Sequence, residues 1–421
     1  RDSSTSRGLG DVYKRQHQMN NEIKFFCLGL MSGTSLDGID VALVEVTGKK
    51  KKRISDDFLD EDYIYSYELK GYYLSLYDQD TKKQILKVTT ENVTIGEVSC
   101  LNKKLGVLYK EAVDQALDSF NLTPYDIEFI GVHGQTVFHD PKGMLGYPST
   151  LQLGDMSYLA YMYNKPVVYN FRQMDISAGG SGAPLVPKSE EILHYNKHYN
   201  QILVNIGGIT NITYLAKDKT IISFDTGPGN MLIDDAMRMF YGKDYDDKGL
   251  IARSGKVNKD VLEKLLEDPY LKEKYPKSTG REYYSKDYLN KVLTLMKEAN
   301  AKKELVSEDV IATLTAFTAY HLTDTIKRFF PNFSSKDHIL INGGGAHNEY
   351  MMELIASSVD AVIEKNAQEV YIDAKEAMAF AILAHLNLQG KPGNVPSATG
   401  AKDEVVLGSV IYPKESEEFY E

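Results

Sequence analysis

The segment 26–46 is the most restrictive part of the sequence. A run of apolar residues, a polar turn with two glycines and an alternating apolar run follow one another there. This pattern predicts a strand, a tight loop and a second strand. Segment 201–215 repeats the pattern, with Gly207 and Gly208 in its turn. Because a long helix, a strand and a polar loop follow in both halves, the sequence suggests an internal duplication.

The loop at 32–38 is chemically suited to a phosphate group. Its backbone N–H groups and the hydroxyls of Ser32, Thr34 and Ser35 can point at an anion, while the carboxylate of Asp37 faces a cation. Such a loop can hold a nucleotide phosphate together with Mg²⁺. Glycine and serine also build ordinary hairpin turns, so this stretch alone leaves both interpretations open.

The length of the chain predicts more than one domain. A chain of 421 residues exceeds what one hydrophobic core usually supports. We expect two domains, at 19–200 and 201–421, with a ligand cleft between them. Residues 1–18 contain no apolar segment, and we expect them to be a vector, tag or sequence-assembly leader outside the fold.

Charge and cysteine content narrow the classes of partner. The net charge of −11 disfavours nucleic acid and anionic membrane as bulk partners. The two cysteines, Cys27 and Cys100, suit a reducing cytosol, and no apolar stretch approaches the about 20 residues needed to span a bilayer. We therefore expect a cytoplasmic protein that binds phosphate through backbone amides and a metal ion.

Strand and helix patterns alternate along the chain, which predicts an α/β class with a mixed sheet. Besides the two hairpins, apolar runs predict strands over 63–77, 127–132, 166–171 and 338–342. Apolar residues at helical spacing predict helices over 93–120, 155–163, 231–240 and 307–330. Ser307 is the expected N-cap of the last helix, and the glycine triplet after residue 342 is expected to open another. The basic run 49–53 is expected at a solvated hairpin tip.

Three common catalytic or metal motifs are missing. No Gly-Lys pair is followed by Ser or Thr, which rules out a Walker A loop. Segment 179–183 lacks the last glycine of a nucleophile elbow. The spacing of His133, His139 and Asp140 matches no usual zinc pattern.

Three glycine-bearing loops remain, at 32–38, 207–211 and 342–348, each at the end of an apolar strand. Ligands bind at strand ends in α/β folds, and two hairpins that face each other across a cleft can grip a triphosphate from both sides. Together the three loops are more informative than any one of them.

Seven motifs follow one another in a specific order along the chain. They are 31–40 (MSGTSLDGID), 131–136 (GVHGQT), 170–175 (NFRQMD), 179–185 (GGSGAPL), 205–209 (NIGGI), 224–230 (FDTGPGN) and 342–345 (NGGG). With these motifs, the sequence from about Phe25 to Leu407 resembles the anhydro-N-acetylmuramic acid kinase family. The resemblance implies the actin-like ATPase fold shared by sugar kinases and heat-shock chaperones, with two related domains and ATP in the cleft.

The resemblance also implies a reaction. Its substrates would be ATP and 1,6-anhydro-N-acetylmuramic acid from recycled cell wall. Water would open the internal bridge at C1 while O6 takes the γ-phosphate, which gives N-acetylmuramic acid 6-phosphate. Water is a poor nucleophile at an acetal carbon, so a carboxylate is needed to take its proton. Asp175 matches the catalytic Asp of the family and is expected at a strand end before a glycine loop, although a lone loop Asp is otherwise a turn former or helix cap.

The other site residues are implied by the same motifs. ATP is expected at Gly33, Thr34, Ser35, Leu36, Asp37, Gly38, Gly207, Gly208, Gly343, Gly344 and Gly345. Asp37 and Asp225 are candidates for Mg²⁺, through water. The sugar is expected at His133, Gln135, Asn170 and Arg172. Arg172 could bind the lactyl carboxylate by bidentate pairing, or it could instead form an ion pair with a neighbouring carboxylate of the protein. His133 could equally be a core histidine whose hydrogen bonds are satisfied within the protein.

Two other functions stay open from the sequence. A kinase of the same family could act on another anhydrosugar such as levoglucosan, which lacks the lactyl and acetamido groups. A non-enzymatic actin-like or chaperone-like nucleotide switch would have the same fold. Asp175 has no evident task in such a switch. A homodimer is common in families like this, and the sequence leaves the oligomeric state open.

Overall fold

The computed structural model describes residues 22–33, 36–50, 63–300, 304–365 and 369–413, without the side chains of residues 365 and 369–372. The chain forms two compact units. Within the described parts, residues 1–189 and 373–421 form the first unit and residues 190–372 form the second. The first unit therefore includes a C-terminal segment that the sequence-based division assigns to the second domain.

A mixed sheet forms the centre of the first unit. Its strands are β1 (Glu22–Ser32), β2 (Gly38–Lys50), β3 (Tyr63–Leu76), β4 (Ile127–Asp140), β5 (Ser149–Leu153), β6 (Val167–Tyr169) and β12 (Ser409–Ile411). Their order is β12-β6-β4-β1-β2-β3, and β5 pairs with β4. Strands β1, β4 and β6 are parallel, whereas β2 is antiparallel to β1 and β3 is antiparallel to β2. The predicted first hairpin and the strand after it are confirmed.

The helices of the first unit include the two that apolar spacing predicted, over 93–120 and 155–163. The helices are α1 (Gln79–Thr90), α2 (Ile95–Phe120), α3 (Met156–Tyr163), α4 (Phe171–Ser177), α5 (Val186–His194), α13 (Glu369–Leu388) and α14 (Pro396–Thr399), and the unit ends within α5. Helix α2 begins with a capping box formed by Thr94 and Glu97. It stops at Asn121, whose backbone is left-handed. The predicted apolar face of α2 is buried.

Two glycines let helix α13 lie directly against the sheet. A Cβ atom at Gly29 would lie 1.9 Å from the carbonyl oxygen of Ala377. A Cβ atom at Gly131 would lie 2.3 Å from the carbonyl oxygen of Phe380. No side chain fits at such distances, so the sequence of β1 and β4 needs glycine where the helix crosses them.

The second unit repeats the topology of the first. Its strands are β7 (Gln201–Ile206), β8 (Ile209–Leu215), β9 (Ile221–Pro228), β10 (His338–Asn342) and β11 (Val362–Lys365). Their order is β11-β10-β7-β8-β9, with β7, β10 and β11 parallel and with β8 and β9 antiparallel to their neighbours. Each sheet thus has a hairpin on one side of its first strand and parallel strands on the other. This repeat confirms the predicted α/β class, an actin-like ATPase fold with internal duplication.

The longest helix of the second unit forms much of its core. The helices are α6 (Met231–Tyr241), α7 (Leu250–Ser254), α8 (Lys259–Leu266), α9 (Pro269–Lys272), α10 (Lys286–Ala299), α11 (Ser307–Phe329) and α12 (Glu349–Ser358). Helix α11 is as long as predicted, but the prediction of Ser307 as its N-cap is wrong. Val306 holds that position with an extended backbone, and the Ser307 hydroxyl bonds to Tyr241 and Glu308 instead.

Two further elements differ from the predictions. Strand β4 continues through the polar segment 133–136 to Asp140, because β5 pairs with it there. The glycine triplet opens a single 3₁₀ turn, Gly344–His347, ahead of α12. The predicted tip at 49–53 extends beyond the described residues. No helix in the described part of the chain has the length and apolar character to cross a membrane.

Candidate active site

Asp175 is a completely buried carboxylate in the first unit. It lies on helix α4, which corrects the expected strand-end position: the left-handed backbone of Asn170 turns the chain from β6 straight into the helix. The Oδ1 atom accepts hydrogen bonds from Nδ2 of Asn394 at 2.9 Å and from Oγ1 of Thr399 at 2.7 Å. The Oδ2 atom accepts one from the backbone N–H of Gly182 at 2.7 Å.

Glycine residues allow the following loop to wrap around this carboxylate. A Cβ atom at Gly180 would lie 2.2 Å from Oδ2 of Asp175. Gly182 has a φ of +69°, in the region that favours glycine. The backbone N–H of Gly180 also donates to the carbonyl oxygen of Asp175 at 2.9 Å. The Gly-Gly-Ser-Gly motif therefore serves to enclose Asp175.

The hydrogen bonds to Asp175 leave part of its carboxylate free. An ionised carboxylate offers about four acceptor positions. Two are used on Oδ1 and one on Oδ2, so one position on Oδ2 has no partner among the described residues. Burial of an unpaired carboxylate is unfavourable, and the three donors offset it. Asp175 is thus held rigidly with one oxygen position available to accept a proton.

Arg172 and His133 form a hydrogen-bonded pair near this loop. Nδ1 of His133 donates to the carbonyl oxygen of Gly134 at 2.7 Å, so Nε2 is free to accept from Nε of Arg172 at 2.9 Å. Burial lowers the pKa of His133 well below its ordinary value, with the charge of Arg172 as the next cause. Both ring nitrogens of His133 have protein partners, so it would act on a sugar through Arg172.

Arg172 keeps part of its guanidinium unused. Nη1 donates to the carbonyl oxygen of Gly182 at 2.8 Å, whereas Nη2 donates to no acceptor among the described residues. Burial lowers the pKa of Arg172 to about 10, and the carboxylate of Glu376 acts in the opposite direction. The side chain is therefore a partly buried, oriented cation with donors left for an anionic ligand.

The other two predicted sugar residues also lie in the first unit. Nε2 of Gln135 donates to the carbonyl oxygen of Gly33 at 3.2 Å, which joins β4 to the predicted phosphate loop. Oε1 of Gln135 is buried and has no hydrogen-bond partner among the described residues. Asn170 occupies the N-cap position of α4, but its side chain makes no capping hydrogen bond. Both side chains thus have capacity for a ligand.

The predicted phosphate loop is only partly described. Thr34 and Ser35 lie outside the described residues. Leu36 has a φ of 58° and a buried side chain, so it would meet a nucleotide through its backbone. Asp37 is exposed, and a Cβ atom at Gly38 would lie 2.1 Å from the carbonyl oxygen of Ser75. Gly38 therefore serves strand packing, whereas the Asp37 carboxylate is open to a cation.

The glycines of the second unit have two different roles. A Cβ atom at Gly343 would lie 2.6 Å from the carbonyl oxygen of Ile206, and one at Gly345 would lie 2.3 Å from Cγ2 of Ile206. These two glycines are needed for packing within the unit. At Gly207, Gly208 and Gly344 a Cβ atom would approach no described protein atom closer than 3.5 Å. Internal packing does not explain those three, and a ligand close to the backbone would.

Asp225 is the second candidate for a metal ion. It lies on β9, where its Oδ2 accepts from the backbone N–H of Thr279 at 3.0 Å. Burial raises the pKa of Asp225 to about 6, although the Thr279 N–H acts in the opposite direction. The described residues contain no group of three or more His, Cys, Asp or Glu side chains suited to a metal ion. A Mg²⁺ ion would accordingly need phosphate oxygens and water besides one or two carboxylates.

Three residues that bear on the site are missed by the sequence analysis. Asn394 and Thr399 hold the Asp175 carboxylate, and Glu376 influences Arg172. All three come from the C-terminal segment that returns to the first unit. Their sequence context indicates a helix and a polar loop, and no local pattern connects them with residues 172–175.

The repeated topology and the glycine-bearing turns at the ends of the central strands define a protein of the actin-like ATPase class. A family model described as anhydro-N-acetylmuramic acid kinase matches residues 25–414. The chain belongs to this family and is a kinase, an enzyme that transfers phosphate to an alcohol group.

Two sequence relatives agree with this assignment. An anhydro-N-acetylmuramic acid kinase from Francisella tularensis subsp. novicida is 41% identical over 393 residues, which covers 92% of this chain and 98% of the relative. One from Bacillus cereus is 38% identical over 397 residues, covering 92% and 99%. Among solved structures, component A of (R)-2-hydroxyglutaryl-CoA dehydratase from Acidaminococcus fermentans aligns with a TM-score of 0.42 at 10% identity, covering 87% of this chain and 99% of that one.

Proposed function

We propose that this kinase converts 1,6-anhydro-N-acetylmuramic acid and ATP into N-acetylmuramic acid 6-phosphate and ADP, in the recycling of cell-wall fragments. The observation that carries the proposal is the Asp175 carboxylate, which three donors orient and which keeps one acceptor position on Oδ2. A cytoplasmic location and a homodimer belong to the same proposal, and light scattering after size-exclusion chromatography tests the dimer.

The proposed mechanism uses Asp175 as a general base. Water attacks C1 of the sugar while Oδ2 of Asp175 takes one of its protons. The C1–O6 bond breaks, and O6 forms the new bond to the γ-phosphorus of ATP while the bond to ADP breaks. The departing O6 carries no proton and is captured by phosphorus. No separate general acid is therefore required.

The nucleotide is proposed to bind through glycine-bearing turns, and two carboxylates are proposed to hold its metal ion. Gly207, Gly208 and Gly344 leave the backbone open to a phosphate or nucleoside group. Mg²⁺, bound through water by Asp37 and Asp225, would neutralise charge on the phosphates. The acceptor positions of both carboxylates fit this role, since Asp37 is exposed and Asp225 has one backbone donor.

Arg172 is the proposed determinant of the sugar. Its unused Nη2 group can pair with the lactyl carboxylate of a muramic acid, and its Nε and Nη1 groups are held by His133 and Gly182. Levoglucosan has no carboxylate and would leave this partly buried cation unpaired. Gln135 and Asn170 supply the polar contacts that an acetamido group and hydroxyls require.

The test replaces Asp175 by Asn, which keeps the size of the side chain and cannot accept the proton. Asp175→Asn should lower kcat by about 100-fold or more and leave ATP affinity nearly unchanged. Asp78→Asn is the matched control, because Asp78 caps helix α1 and Asn caps equally well. Turnover of Asp175→Asn within about threefold of the unmodified protein would remove Asp175 from the mechanism.

Isotope labelling tests the coupling of the two bond changes. Turnover in H₂¹⁸O, followed by ³¹P NMR and mass spectrometry, should place the label on the anomeric oxygen and none in the phosphate ester. A panel of anhydrosugars in the same assay separates anhydromuramic acid from levoglucosan as substrate. Label in the phosphoryl group, or free sugar ahead of phosphosugar, would contradict the concerted mechanism.

A further inference from the structure

The C-terminal segment 394–402 encloses the loop that follows Asp175. The backbone N–H and the hydroxyl of Ser181 both donate to the carbonyl oxygen of Thr399, at 2.8 and 2.9 Å. The backbone N–H of Lys402 donates to the carbonyl oxygen of Ala178 at 2.9 Å. The side chains of Asn394 and Thr399 add their two hydrogen bonds to Asp175 itself. Five hydrogen bonds thus connect two segments more than 200 residues apart.

Asn394 can act only as a donor toward Asp175, not as an acceptor. Its Oδ1 accepts from the backbone N–H of Val405 at 2.8 Å, which leaves Nδ2 to face the carboxylate. The second hydrogen of Nδ2 points to the carbonyl oxygen of Asp403 at 3.1 Å. Asn394 is 1% exposed, so water does not compete for these bonds. Every polar group of this side chain is satisfied in one orientation.

Thr399 donates to the same carboxylate oxygen. Its Oγ1 can accept from the backbone N–H of Ala401, at 3.4 Å, and it donates to Oδ1 of Asp175 at 2.7 Å. Both side-chain donors therefore meet at Oδ1, whereas Oδ2 has one backbone donor and one open position. A rotation about the Cβ–Cγ bond of Asp175 by less than a half-turn would break these bonds, so the two side chains fix the direction of the open acceptor position.

We propose that Asn394 and Thr399 are positioning residues, which orient the Asp175 carboxylate so that the open position of Oδ2 is directed at the attacking water. The inference rests on the proposed role of Asp175 as the base. General-base catalysis depends on the geometry of the acceptor, and a small misplacement of a reacting group can lower the rate by up to about 100-fold. Substrate binding does not require this orientation. The residues should therefore affect kcat rather than KM.

The experiment compares two substitutions of Thr399. Thr399→Val keeps the shape and removes the donor, and Thr399→Ser keeps the donor and removes a methyl group. We expect Thr399→Val to lower kcat about 10- to 100-fold with the KM values for ATP and anhydrosugar changed less than threefold, and Thr399→Ser to stay within about threefold of the unmodified protein. Equal losses in both variants, or a change in KM alone, would overturn the proposal.

A combination with Asp175→Asn separates this inference from the proposed function. In that background Thr399→Val should cause no further loss of the residual turnover, because the group that it orients is gone. If Asp175→Asn abolishes turnover while Thr399→Val keeps kcat within threefold, only the positioning role is wrong. If Asp175→Asn retains turnover, both ideas fail together. If urea titration shows that Thr399→Val is unfolded, Asn394→Ala tests the positioning role by the same kcat and KM criteria.

Discussion

Burial of the Asp175 carboxylate depends on single atoms of its neighbours. A methyl group at position 180 would lie 2.2 Å from Oδ2, and the hydroxyl of Thr399 is one of two side-chain donors to Oδ1. A buried charge is tolerated only when hydrogen bonds replace its hydration. The residue types around Asp175 are therefore explained by space and hydrogen bonding at one carboxylate rather than by local backbone propensity.

His385 in the first unit is another group whose burial has a measurable consequence. Its Nδ1 is 2.8 Å from the hydroxyl of Tyr67 and its Nε2 is 3.0 Å from Nε2 of Gln389. Burial lowers the pKa of His385 to about 3, and the charge of Lys391 adds to the effect. In the unfolded chain a histidine has a pKa of about 6.5. The folded protein thus holds His385 neutral where the unfolded chain would protonate it.

His385 should make the first unit less stable in acid. Its contribution is fully present above pH 6.5, and it is lost as the pH falls from there toward 3, because only the unfolded chain takes up the proton. Between pH 7 and pH 5 the loss should be about 2 kcal/mol. Urea unfolding at both pH values should show a smaller difference for His385→Gln than for the unmodified protein. His198→Gln, at an exposed position, is the control. An unchanged pH dependence in His385→Gln would contradict the assignment.

At the scale of elements, the first unit depends on close packing of helix α13 against strands β1 and β4. The helix crosses the sheet where Gly29 and Gly131 leave its backbone within van der Waals distance. Buried alanines of the helix face the same way: Ala374, Ala377, Ala381 and Ala384. The helix also leads directly to Asn394 and Thr399. Its position against the sheet therefore affects the support of Asp175.

Gly29→Ala should disrupt this contact. The added Cβ would lie 1.9 Å from the carbonyl oxygen of Ala377 and 2.7 Å from the N atom of Ala381, both of which are backbone atoms of the helix. The helix would have to move, and we expect a loss of about 3 kcal/mol in the free energy of unfolding. Gly48→Ala is the matched control on β2, because its Cβ would meet side-chain atoms of Tyr65 and Ile23 that can move aside. Urea unfolding measures both, and equal losses would argue against a tight helix contact.

At the scale of the whole molecule, the two units differ in how the chain builds them. The second unit is continuous in sequence and contains a complete five-stranded sheet with its own hydrophobic core. The first unit needs the C-terminal segment, which supplies α13, β12 and the donors to Asp175. We therefore expect the second unit to fold independently and the first unit to need its C-terminal segment.

Fragments of the chain should therefore behave differently. Residues 190–372 alone should fold, because their sheet and core are complete. Residues 22–189 alone should not, because the face of β1 and β4 that α13 covers would be exposed. Amide NMR signals should be well dispersed for fragment 190–372 and poorly dispersed for fragment 22–189. A dispersed spectrum for 22–189 would show that the C-terminal segment is not needed for folding.

Local patterns in the sequence were sufficient for the fold class, for both hairpins and for some of the helices. The apolar spacing over 93–120 predicted helix α2, and the repeated strand–turn–strand pattern predicted the two hairpins. Periods of 2 and 3.6 residues are properties of neighbouring residues, so one sequence is enough to detect them. The motif order was likewise sufficient for the family.

Only the tertiary structure decided how distant segments meet. Asn394 and Thr399 reach Asp175 across 219 and 224 residues, and Gly29 faces Ala377 from the other end of the chain. The tertiary structure also distinguished two kinds of glycine. Gly343 and Gly345 pack against Ile206, whereas Gly207 and Gly208 have no close protein neighbour at the Cβ position. The physical reason is that such contacts depend on where the folded chain returns, and no short-range period of side chains records that return.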